Sequence, residues 1–131
     1  MIGLDTNILV RYLTQDDQEQ AKKAVKLIES NLSQKQSMFI NNIVFCELIW
    51  VLERGYKYSK QQIASAIRIL LSAQEFAFEQ LDSLWIALDK YEKDNIDFSD
   101  ALIGELNKSY KCTHTYSFDT QASKMSNFEL L

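Results

Sequence analysis

Four carboxylates of this 131-residue chain stand where chemistry is readily built. Asp5 follows the apolar run Met1 to Leu4, Asp119 follows the β-rich run Cys112 to Ser117, and Asp100 lies in the first turn of a helix beginning at Asp97 or Ser99. In an open parallel sheet such places share one edge, outside the carboxyl ends of the strands, where ligands bind. Each acid also has a plain structural use. Asp5, Asp97 and Asp119 are good N-caps, and Asp97-Phe98-Ser99-Asp100 resembles a capping motif. Glu47 is harder to explain that way. It interrupts the apolar helix Ile43 to Leu52, with Val44, Leu48 and Val51 as its expected stripe mates. A carboxylate there is costly unless paired, so it calls for a salt bridge to an Arg, a polar cleft or a metal.

The rest of the composition narrows the chemistry. His114 is the only histidine, and Cys46 and Cys112 are isolated thiols, so HExxH and CxxC sites are excluded. Gly3, Gly55 and Gly104 lie far apart, and neither GxxxxGK[ST] nor GxGxxG can be written. Four acids without spare histidines or thiols make a hard-oxygen site, which suits Mg²⁺ or Mn²⁺. With a phosphate substrate, such a site polarises the scissile phosphate and activates a water. The net charge of −4 argues against a blanket electrostatic grip on nucleic acid, although a divalent cation would cancel the acids locally. Arg54, Lys57 and Lys60 form one basic cluster, and Lys22, Lys23 and Lys26 another; each also reads as a solvated helix face.

These acids must be positioned by alternating strands and helices. Strands are expected over Met1 to Leu4, Ser37 to Ile40, Phe76 to Gln80, Cys112 to Ser117 and Phe128 to Leu131. Helices are expected from Asn7, from Asp16, from a cap at Asn41 or Asn42 to a C′ residue at Gly55, from Ser59, from Asp82, and from Asp97 or Ser99. Ser59 and Gln62 have capping-box spacing. The pattern predicts one α/β domain over residues 1–131 with a mainly parallel sheet. Two isolated thiols without CxxC spacing, no basic start before an apolar run, and an apolar stretch too short to span a bilayer predict a cytoplasmic protein without a signal peptide.

At this point the residues meet a family. Ile2-Gly3-Leu4-Asp5-Thr6-Asn7-Ile8-Leu9 resembles the opening motif of PIN-domain ribonucleases, and Glu47 in its apolar helix resembles their second acid. Asp97-Phe98-Ser99-Asp100-Ala101-Leu102-Ile103 is similar to the third motif, with Asp100 in the ligand position, and Ser117-Phe118-Asp119 matches the hydroxyl–x–acid ending. Arg11-Tyr12-Leu13 with Asp16-Asp17 looks most like the VapC-type toxins of bacterial toxin–antitoxin pairs. The resemblance implies a three-layer α/β/α sandwich with strand order 3-2-1-4-5, and a Mg²⁺- or Mn²⁺-dependent endoribonuclease leaving 5′-phosphate and 3′-hydroxyl ends. It also implies a homodimer and inhibition by a small cognate antitoxin. Asp5, Glu47, Asp100 and Asp119 would be the metal ligands and catalytic acids, with Thr6 orienting Asp5 and Ser117 orienting Asp119 through their hydroxyls. Asn7 would steer substrate or stabilise the turn, and Asp97 reads as a cap.

Three rivals stand beside that reading. A housekeeping PIN-domain RNA-processing nuclease would carry the same acids. A non-catalytic PIN-like module binding RNA or protein would not need all four. An aspartate-dependent phosphatase would want a second Asp two positions after Asp5, where this chain has Asn7. If the four acids converge, like charges oppose one another and at least one carboxyl, with Glu47 desolvated by its helix, should titrate above its ordinary range. Arg11 and the Arg54–Lys57–Lys60 cluster are expected on the basic margin along which RNA approaches.

Overall fold

In the computed structural model, which describes residues 1–131, the opening apolar run is a strand, β1 (Ile2–Gly3). It lies parallel to β2 (Met38–Ile40), which lies parallel to β3 (Phe76–Phe78), with Ile2 opposite Met38 and Phe39 opposite Ala77. Parallel neighbours cannot be joined by a tight turn, so helices fill the connections. α1 (Thr6–Thr14) and α2 (Gln18–Ser33) lead from β1 to β2, and α3 (Asn42–Arg54) and α4 (Lys60–Ser72) lead from β2 to β3. The order β1-β2-β3 is the expected 3-2-1 half of the sheet. α3 buries Val44, Phe45, Leu48, Ile49 and Leu52, and Phe45 meets Phe78 edge-on at 5.8 Å.

Chain contacts group these elements into a compact unit, Met1–Glu79, and the remainder into a second, Gln80–Leu131. In the second unit α5 (Leu81–Lys93) packs on α6 (Phe98–Ser109), and β4 (Thr115–Ser117) pairs in parallel with β5 (Phe128–Leu130) around a single 3₁₀ turn, Ala122–Lys124. Glu105 is buried, and Lys90 Nζ donates to its carboxylate at 2.7 Å, so the charge is paired within the helix interface. The fold class is α/β with parallel strands throughout, as the alternating pattern predicts. No helix is long and apolar enough to cross a membrane.

Local structure follows the sequence at the starts of α3 and α4 and departs from it at four other element ends. The Asn41 side chain caps α3 by accepting from Val44 N at 2.9 Å, and Ser59 with Gln62 forms the full capping box of α4. Asp17, not Asp16, caps α2, because the Asp16 carboxylate is taken by Arg11, Thr14 and Tyr56. Gly55 stays right-handed (φ −80°, ψ −41°), and the reversal after α3 falls on Lys57 at φ 54°. Gln80 is not the end of β3 but the residue before α5. Asp97 occupies the N-cap position of α6, yet its side chain makes no capping hydrogen bond.

Gly104 marks a close approach in the second unit. A Cβ there would lie 2.6 Å from the Phe128 ring and 2.8 Å from Asn127 Nδ2, whose amide donates to the Gly104 carbonyl at 3.0 Å. Gly104→Ala should therefore destabilise by about 1–3 kcal/mol through overpacking. Urea unfolding is the check, and a midpoint equal to wild type would show that Phe128 swings aside without cost.

Candidate active site

In the first unit the acids are placed by two helix starts. Leu4 N donates to Phe39 O at 2.9 Å, so β1 carries the chain to the sheet edge before α1 begins. Asp5 then takes the N-cap of α1, and its Oδ1 accepts from Thr6 N at 2.7 Å. A carboxylate there satisfies an otherwise orphaned N–H and complements the helix dipole. Thr6 itself is buried. Its hydroxyl donates to Glu47 Oε2 at 3.3 Å, across 41 residues of chain. The expected hydroxyl contact from Thr6 thus goes to Glu47, while Asp5 is held by the Thr6 backbone.

Glu47 is exposed, which corrects its expected place on the buried stripe. The burial of α3 shows why: Ile43, Glu47, Trp50 and Arg54 recur at helical spacing on its open face, and two of them are apolar. Glu47 makes no ion pair, so the alternative of a salt bridge to an Arg is not realised. Asp5 and Glu47 line one cavity of about 370 Å³ with Thr6, Asn7, Arg11 and Tyr56. Asp5 Oδ2 and Glu47 Oε1 have no hydrogen-bond partner within the protein.

In the second unit Asp100 sits half-buried in the first turn of α6. Burial raises its pKa above the ordinary carboxylate range, and the charges of Asp97 and Asp119 raise it further. No cation offsets them. Asp119 Oδ1 accepts from Gln121 N at 2.8 Å and Ala122 N at 3.1 Å, starting the 3₁₀ turn. Ser117 Oγ accepts from the Asp119 backbone N–H at 2.9 Å, so it fixes the main chain there and does not touch the carboxylate as expected.

Neither unit on its own gathers three His, Cys, Asp or Glu side chains into a cluster able to hold a metal ion. The donor chemistry nevertheless fits a hard divalent cation: carboxylate oxygens only, partly unengaged, with mutual repulsion unrelieved by Lys or Arg at Asp100. Sequence reasoning missed one polar member of the first-unit cavity. Tyr56 reaches it from a stretch without motifs, and only the fold brings it to Arg11, at 2.9 Å.

Comparison with known proteins points the same way. A family model of the PIN domain matches residues 2–127. A curated relative, a VapC ribonuclease of Aquifex aeolicus (strain VF5), is 27% identical over 123 residues, spanning 93% of this chain and 90% of its own length.

Proposed function

The chain belongs to the PIN domain family, and from that premise we propose that it is a Mg²⁺- or Mn²⁺-dependent endoribonuclease acting in the cytoplasm as the toxin of a toxin–antitoxin pair. The observation that carries the reading is Thr6, which ties Asp5 by its backbone and Glu47 by its hydroxyl on the wall of one cavity. The whole-length likeness to a VapC ribonuclease supports the substrate class and the toxin role. In this reading Asp5, Glu47, Asp100 and Asp119 supply the metal's oxygen donors. A bound Mg²⁺ or Mn²⁺ ion would supply charge stabilisation at the scissile phosphate and lower the pKa of a water.

The chain's own residues have simpler tasks. Thr6 keeps the Glu47 and Asp5 carboxylates turned toward the cavity, and Asn7 on the same wall offers an amide to substrate. Asp119, capped onto its turn by two backbone N–H groups, keeps a fixed orientation beside Asp100. We further propose that the active form is a homodimer, restrained by a small cognate antitoxin.

The test sets RNA beside a small phosphate monoester. RNA should be cut in Mg²⁺ or Mn²⁺ to 5′-phosphate and 3′-hydroxyl ends, with no cutting in EDTA and no monoester hydrolysis. Monoester hydrolysis alone would favour the phosphatase. Expression of the chain should arrest growth, relieved by the product of an adjacent small gene; unaffected growth with active protein would mark a housekeeping nuclease.

A further inference from the structure

The cavity bearing Asp5 and Glu47 has one basic residue on its wall, Arg11. Its guanidinium is held in place rather than left to wander. Nη1 donates to Asp16 Oδ1 at 3.1 Å and to the Tyr56 hydroxyl at 2.9 Å, and Nε donates to Gln20 Oε1 at 2.7 Å. Tyr56 in turn donates to Asp16 Oδ2 at 2.6 Å, and Thr14 donates to Asp16 Oδ1 at 2.9 Å. Of the five guanidinium N–H groups, these bonds use three. The two on Nη2 have no partner in the protein.

Two further observations give that arrangement a direction. Arg11 and Asn7 also line a neighbouring cavity of about 310 Å³, whose wall includes Gln20 and Lys23, so a chain leaving the acidic cavity across α1 meets Arg11 and then a second cation. Asp16 shares its charge among Arg11, Thr14, Tyr56 and the Asp17 backbone, which leaves the guanidinium only partly neutralised. An Arg fork fixed in advance binds an anion without the ordering cost that a free side chain would bear.

We propose that Arg11 grips a non-bridging oxygen of a substrate phosphate beside the Asp5–Glu47 cavity through its Nη2 edge, and that Tyr56 and Asp16 are positioning residues for that fork. The proposal rests on the ribonuclease reading and names a residue for its substrate contact. The competing role is purely structural: Arg11 would do no more than pin α1 to the start of α2 and to the turn after α3.

Binding of a fluorescent single-stranded RNA oligonucleotide of mixed sequence, measured across a salt series with Ca²⁺ replacing Mg²⁺, separates these roles. Arg11→Gln should weaken binding roughly ten- to hundredfold, as expected for a lost hydrogen bond to a charged group. Its log–log salt slope should become shallower by about 0.7, the value of one phosphate contact on a single strand. Arg11→Lys should keep the slope but lose affinity, and Tyr56→Phe should raise KM for RNA cleavage while kcat holds. Arg11→Gln with wild-type slope and affinity overturns the proposal, whatever its melting temperature. Should Arg11→Gln fail to fold, unchanged KM in both Arg11→Lys and Tyr56→Phe overturns it equally. A wild type that neither binds nor cuts RNA removes the ribonuclease reading and this inference together. Active wild type with indifferent Arg11 variants removes this inference alone.

Discussion

Asp5→Asn, Glu47→Gln and Asp100→Asn should each lower RNA cleavage by more than about a hundredfold while leaving the fold intact. Replacing even an outer-sphere partner of a metal site costs about ten- to a hundredfold, and these changes remove a donor charge itself. The geometry explains why the fold should survive. Asparagine caps helices as well as aspartate, and its carbonyl can still accept from Thr6 N, as Asp5 Oδ1 does at 2.7 Å. Glutamine at 47 can still accept from the Thr6 hydroxyl. At position 100 the substitution removes a half-buried charge beside Asp97 and Asp119. Thr6→Val adds a sharper test, because it deletes the hydroxyl that holds Glu47 and keeps the N–H that holds Asp5. Its cleavage should fall about tenfold. Single-turnover assays in clean metal buffer, with circular dichroism for the fold, provide the measurement; near-full activity in Asp5→Asn would dismiss the catalytic assignment.

How far the sequence reached depends on the distance over which each feature is decided. The capping box at Ser59 and Gln62 and the cap of α3 are settled within three residues; the first is legible in full, the second as a choice between Asn41 and Asn42 that falls on Asn41. The parallel direction of the first three strands follows from helices filling their connections, which periodicity also reveals, whereas their order is what the family resemblance implies. The choice between Asp16 and Asp17 as the α2 cap was not legible, because Tyr56, 40 residues away, takes Asp16. Glu47 was misplaced for a related reason. Ile43 and Trp50 make the open face of α3 look apolar, and only the packed structure shows that Phe45, Leu48, Ile49 and Leu52 form the buried one. The acids were recognisable by type and position. Which donor each one uses was not, since Thr6 finds Glu47 across the sheet edge and Ser117 offers its hydroxyl to a backbone N–H.

The pH dependence of the metal response should isolate Asp100. Burial first, then Asp97 and Asp119, oppose its ionisation, whereas Glu47, the group expected to be desolvated, faces solvent. An acid whose folded pKa is raised binds protons more tightly in the native state than in the unfolded chain. Stability is then lost as pH climbs past the unfolded value of about 4 and through the raised folded one. Without metal, the wild type should melt below Asp100→Asn at neutral pH, and the two should converge as pH falls toward 4. A divalent cation bound by the native state reverses the deficit. At one hundred times its dissociation constant it adds about 2.7 kcal/mol, which corresponds to about 10 °C for a chain of this length. Protons compete for the same carboxylates, so the gap between Mn²⁺ and EDTA should widen from mildly acid to neutral pH. Asp100→Asn, already relieved of one repelling charge, should gain little from Mn²⁺. Scanning calorimetry from pH 5 to 7.5 reads all of these differences. Superimposable wild-type curves in Mn²⁺ and EDTA, with no heat in a calorimetric titration, would show that Asp100 takes no part in a metal site and that its neighbours repel it to no catalytic purpose.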